Sequence, residues 1–106
     1  MVQIVENWSR ITGCVERWQP ADRPDGSGAL TVRVERVEEV VRPAGQAYPN
    51  LLAGCEGRVI QIEVPAIVAS RLDIKPGDRV EVQVRRGRSP EQLFARPGSV
   101  AALPSG

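Results

Sequence analysis

No histidine occurs anywhere in the 106 residues. The commonest general base and metal ligand is therefore missing. The two cysteines, Cys14 and Cys55, lack the spacing of a metal site, and no histidine is present to complete one. Both are expected to be buried structural thiols. No serine stands in a nucleophile elbow, and no glycine-rich phosphate loop precedes a Lys-Ser or Lys-Thr pair. The one acidic pair, Glu38-Glu39, sits in a strand pattern, where neighbouring side chains face opposite ways. These absences point to a protein that is not an enzyme and needs no cofactor and no metal.

Other residues are scarce rather than missing. Aromatics make up 4% of the chain: Trp8, Trp18, Tyr48 and Phe94. Lys75 is the one lysine, so the basic residues are otherwise arginine. Either a compositional bias of the genome or a use for bidentate contacts to phosphate or carboxylate explains that preference. The formal net charge is +1, which argues against nucleic-acid binding driven by bulk charge. No apolar run approaches the length of a membrane span. Met1-Val2-Gln3-Ile4 offers neither a basic nor an apolar leader region. A cytoplasmic location with reduced thiols and no membrane partner is expected.

What the chain has in quantity is valine, which suits pleated, half-buried strands. The length fits one domain. A single β-barrel domain over residues 1–98 is expected, with a flexible tail at 99–106. In the lead-in, Val2, Ile4 and Val5 are expected to add an edge strand or pack on the barrel. Residues 10–19 alternate as a strand, and Gly13 in its middle permits the sharp coil that lets one strand serve both sides of a closed barrel. Residues 20–28 form a loop rich in Pro and Gly. A second strand follows from Ala29. Its alternation slips at Glu35-Arg36, which reads as a bulge. Residues 42–56 resist a regular reading, with Leu51 and Leu52 expected beneath the loop.

The stretch from Gly57 to Arg86 is the most legible. Ile60, Ile62 and Val64 point inward on a third strand. Pro65 stands where a helix starts, and about two turns follow, with Ile67, Val68 and Leu72 on the buried side. Lys75-Pro76-Gly77-Asp78 is a turn: proline presets φ and glycine accepts the positive φ of the next position. Val80, Val82 and Val84 then face inward on a fourth strand, and Leu93-Phe94-Ala95-Arg96 is a short fifth.

The order strand, strand, strand, helix, strand, strand, with a central glycine in the first, resembles the OB-fold over about residues 9–97. The resemblance implies an all-β fold, a small five-stranded Greek-key barrel with one short helix between strands 3 and 4. Residues 64–82 also resemble the AbrB-type swapped-hairpin DNA-binding and antitoxin domains. The shared pattern is a strand ending before Pro65, a short helix, then Leu72-Asp73-Ile74-Lys75-Pro76-Gly77-Asp78 and a strand. Asp73 stands where that family has glycine.

Candidate binding residues follow from the OB-like layout. Arg85, Arg86 and Arg88, around Gly87 and Ser89, fall in the loop between strands 4 and 5, a loop that flanks the ligand face of such barrels. They would contact phosphate, or simply solvate a turn. Trp18 closes the first strand and would stack on a base or plug the barrel end. Trp8 is a weaker candidate. Arg23 lies in the loop that follows Trp18. Arg33 would lie on the ligand face, but Glu35, Glu63 and Glu81 share outward positions and offer cross-strand pairs instead. The expected function is a non-catalytic binding module for single-stranded DNA or RNA. The alternatives are a protein-interaction or assembly module, including a homo-oligomer, and an AbrB-like dimeric DNA-binding protein.

Overall fold

A computed structural model of the chain describes residues 6–104. In chain order the elements are β1 (Ser9–Gln19), β2 (Gly28–Glu39), β3 (Val59–Val64), α1 (Ala66–Ala69), β4 (Arg79–Arg86), β5 (Leu93–Ala95) and β6 (Ala101–Ala102). The strands lie in the order β1-β2-β3-β5-β4, and β1 pairs with β4 to close the barrel. The β3–β5 contact is parallel and the other pairings are antiparallel. This is the five-stranded Greek-key barrel of the OB-fold, with its short helix between the third and fourth strands. The segment with AbrB-like spacing is part of this closed barrel. Its two strands pair with β2 and β1 of the same chain.

Closure depends on β1 reaching two neighbours. Its first half pairs with β2 on one side and with β4 on the other, from Ser9↔Val84 to Cys14↔Arg79. Gly13 lies at the tightest point of this crossing. A Cβ there would stand 2.3 Å from the Arg33 carbonyl oxygen and 2.6 Å from Cγ1 of Val32. Only a residue without a side chain fits that approach. The bulge expected from the sequence is present. Thr12 pairs with Arg36 and Gly13 with Val34, so Glu35 is the extra residue on β2. A second irregularity places Glu16 as an extra residue on β1, between Val15↔Val32 and Arg17↔Thr31. Bulges of this kind bend a strand and increase its twist, which a small closed barrel requires.

The core is aliphatic. Ile11, Val15, Leu30, Val32, Ile62, Val64, Val80, Val82 and Val84 are fully buried. Each such side chain contributes about 1.5–3 kcal/mol relative to exposure. The Lys75–Asp78 turn has Gly77 at φ 96° and an Asp78 N–H to Lys75 carbonyl bond of 3.1 Å. It also extends the barrel seam, because the Gly77 N–H donates to the Val15 carbonyl and the Val15 N–H to the Asp78 carbonyl, both at 2.8 Å. At the other end of β4, buried Asn7 acts as a substitute strand. Its Nδ2 donates to the Arg86 carbonyl at 3.0 Å, and its Oδ1 accepts from the Arg86 N–H at 2.9 Å.

Several expectations differ from the structure. The helix is one turn, not two. Pro65 offers no capping side chain, and Ser70 already ends it, turning its hydroxyl back to the Ile67 carbonyl. A single turn has one inward face. Ala69 takes it and Ile67 is left 66% exposed, against the expectation that Ile67 is buried. Ile60 is half-buried. In the 42–56 stretch Leu52 reaches the core, but its neighbour Leu51 is 43% exposed. The sharp turn at 51–54 lets only one of two adjacent side chains point inward. Cys14 and Cys55 are free and half-buried rather than buried. The chain after β5 runs back along β4: Arg96 N–H donates to Gln83, Ala101 pairs with Glu81, and Leu103 N–H donates to Arg79. Part of the expected tail is therefore hydrogen-bonded to the sheet as β6. The expected role of Val2, Ile4 and Val5 lies outside the described residues.

Candidate nucleic-acid interface

The outer face of β1, β2 and β3 continues onto β5, with the 20–27 and 87–92 loops at its end. Register places its side chains. Arg17 of β1 is opposite Thr31 of β2, which is opposite Gln61 of β3. Side chains directly opposite one another share a face, and strands are about 4.8 Å apart, so this row is about 10 Å long. One step along, Glu63 pairs with Ala29 on one side and Phe94 on the other, and Phe94 is opposite Arg85.

Where β3 and the 87–92 loop part, they leave a pocket of about 170 Å³. Arg23, Gln61, Glu63, Glu91, Gln92 and Phe94 contribute to its wall. The loop that forms one side is braced by its own bonds. The Gly87 N–H donates to the Gln92 carbonyl at 2.7 Å, and Gln92 Oε1 accepts from the Arg88 and Ser89 N–H groups at 3.0 and 3.2 Å. A Cβ on Gly87 would stand 3.0 Å from the Phe94 ring, so the loop backbone rests on that ring. Glu91 is exposed and ionises more readily than an ordinary glutamate, chiefly because the Ser89 hydroxyl hydrogen-bonds its carboxylate.

The residues expected from the sequence are distributed as follows. Arg23 reaches the pocket but is held by Glu63, with Nε to Oε1 at 2.8 Å. Arg33 is on the outer face of β2 and pairs with Glu16 at 3.1 Å. It lies opposite Val59, four residues and about 13 Å along β3 from Glu63. Arg85 sits over the Phe94 ring, its guanidinium carbon 5.2 Å from the centroid. Arg86 is half-buried, its backbone clamped by Asn7 and its Nε without a hydrogen-bond partner. Arg88 is exposed on the loop and makes no ion pair among the described residues. Trp18 is half-buried against the core. A Cβ on Gly28 would fall 2.5 Å from its six-membered ring, so that ring is seated directly on the start of β2. Arg23, Arg85 and the Arg88 loop are thus brought to one end of the face, and Arg33 stands apart. Trp8 lies under Arg96, 5.1 Å from its guanidinium carbon.

Sequence reasoning missed Phe94 and Arg17. Phe94 is outward between inward Leu93 and Ala95, a signal present in the strand's alternation. Arg17 is exposed and has no ion pair among the described residues. The Glu16 bulge shifts the alternation of β1 by one residue, and this carries Arg17 onto the face.

No family model matches the chain, and no curated protein matches it in sequence. Among solved structures, the dimeric N-terminal domain of the PriB protein from Thermoanaerobacter tencongensis is similar over 92% of this chain and 97% of its own, with 16% identity and a TM-score of 0.48.

Proposed function

We propose that this barrel is a non-catalytic module that binds single-stranded nucleic acid across the outer face of β1, β2, β3 and β5. The observation that carries the reading is Phe94. It is an outward aromatic on the face and between the loops that OB-fold barrels use for oligonucleotides, with a cation already on its ring. A base stacks on Phe94, and the strand's phosphates meet Arg85, Arg88 and Arg17. Arg23 and Arg33 add to this only when their pairs with Glu63 and Glu16 open. Trp18 supports the face from below, with Arg86 anchoring the loop. Three available cations on a near-neutral protein make a weak binder.

A salt titration of fluorescence anisotropy with a labelled mixed-sequence oligonucleotide tests this. Three phosphate contacts predict a slope of log affinity against log salt of about −2 for a single strand. Absence of binding at low salt sinks the proposal.

A second reading rests on β3. Its Glu63 pairs with β5, but Val59 to Ile62 have no ladder partner on that side among the described residues, and Val59 is exposed. An extended peptide adding to that edge is the protein-interaction alternative. Protection of the amide hydrogens of residues 59–62 on partner binding distinguishes it.

A further inference from the structure

The pocket beside Phe94 has a composition that a phosphate would avoid. Two acidic residues, Glu63 and Glu91, line it together with Gln61 and Gln92. Glu63 commits one oxygen to Arg23 and keeps the other. Gln92 spends its carbonyl oxygen on two loop N–H groups, so its NH2 is the end left to donate. Gln61 is exposed, with no side-chain bond among the described residues. The pocket therefore offers carboxylate acceptors next to amide donors, at the edge of an aromatic platform.

We infer that this pocket reads the edge of the base stacked on Phe94, and favours bases with an exocyclic amino group over thymine or uracil. The inference rests on the binding reading given above. Guanine fits best. Its ring N–H and amino group form two adjacent donors that one carboxylate accepts in parallel. Adenine and cytosine each offer an amino donor beside a ring nitrogen acceptor, which suits a carboxylate and an amide NH2. Thymine and uracil have one N–H flanked by two carbonyl oxygens; the amides can donate to an oxygen, but two carboxylates share that single N–H, so one carboxylate is left facing a carbonyl oxygen. Base edges in single strands are open to such contacts. The stacking itself is indifferent to base identity, so any discrimination comes from the pocket wall.

The test uses the whole chain and oligo-dT probes that carry a single internal guanine, adenine, cytosine or no substitution, at low salt. The substituted strands are expected to bind more tightly than oligo-dT, guanine by about tenfold, the size of one good base-edge pair. Glu91→Gln is expected to reduce that preference by raising oligo-dT affinity, since an amide NH2 then meets a thymine carbonyl oxygen, and Glu63→Gln to do the same with a further gain on oligo-dT as Arg23 is released. Equal affinity for all four probes overturns this inference and leaves the binding reading standing. Unchanged preference in both variants also overturns it. Failure of every probe to bind at low salt overturns both.

Discussion

The guanidinium carbon of Arg85 lies 5.2 Å from the centroid of the Phe94 ring, and the two residues are directly opposite one another in the β4–β5 ladder. The contact holds a cation against the face of the one aromatic side chain that the barrel turns outward on β5. A stacked base would displace the guanidinium towards the strand's backbone, where a phosphate can accept from it.

Phe94→Ala is therefore expected to weaken oligonucleotide binding by about 1–3 kcal/mol, the usual cost of a lost base stack. Phe94→Tyr should retain affinity. Anisotropy measures both effects. Melting curves provide the control, since Phe94 is only half-buried and neither variant should unfold.

The acids on the face set how many cations are available. Glu16 holds Arg33 at 3.1 Å across exposed surface. The pair itself is worth little. Glu16→Gln should release Arg33, tighten binding, and steepen the salt slope by about 0.7, one additional single-strand phosphate contact. Arg88→Gln should make the slope shallower by about the same amount. The salt dependence of affinity reads both.

Gly13→Ala probes the closure of the barrel. A methyl group there meets the Arg33 carbonyl at 2.3 Å, and backbone cannot yield as a flexible side chain does. Overpacking commonly costs 1–3 kcal/mol, so a cost of about 3 kcal/mol or more is expected. For a domain of this size that lowers the melting temperature by more than about 10 °C. Differential scanning calorimetry measures it.

The barrel was legible because its local signals agree. Alternating valines mark β4, Gly13 marks the crossing of β1, and the slip at Glu35 marks a bulge that the register contains. The helix was over-read because the apolar pattern continues beyond Ala69, but the chain needs only one turn to bridge β3 and the Pro76-Gly77 turn. The site was less legible. Cross-strand Arg–Glu pairing was expected from the outward acids, but not its partners: Glu63 takes Arg23 from the β1–β2 loop, and Arg33 pairs with Glu16, the residue of an unforeseen bulge. Arg17 was hidden by that same bulge. Cross-strand pairing and register are properties of the folded sheet, and strand alternation alone does not specify them.

Asp25 gives a pH signature in the β1–β2 loop. Its carboxylate accepts from the Ser27 N–H at 2.9 Å, and this bond, followed by the Ser27 side chain, lowers its pKa below the ordinary aspartate value. A lowered folded-state pKa contributes stability that is present above the unfolded pKa and lost as pH falls through the folded value. The carboxyl resonance of Asp25 should titrate below the usual aspartate range in NMR. Ser27→Ala should move it only part of the way back, because the backbone donor remains.

The most direct measurement is an amide NMR titration of the isotopically labelled protein with a mixed-sequence single strand at low salt. Shifts are expected to concentrate at Arg17, Thr31, Gln61, Arg88 and Phe94, with little change around the small hairpin in which Val41 pairs with Ala47 and the Tyr48 N–H donates to the Val40 carbonyl. No shifts, or shifts centred on that hairpin or on β6, would contradict the proposed binding face.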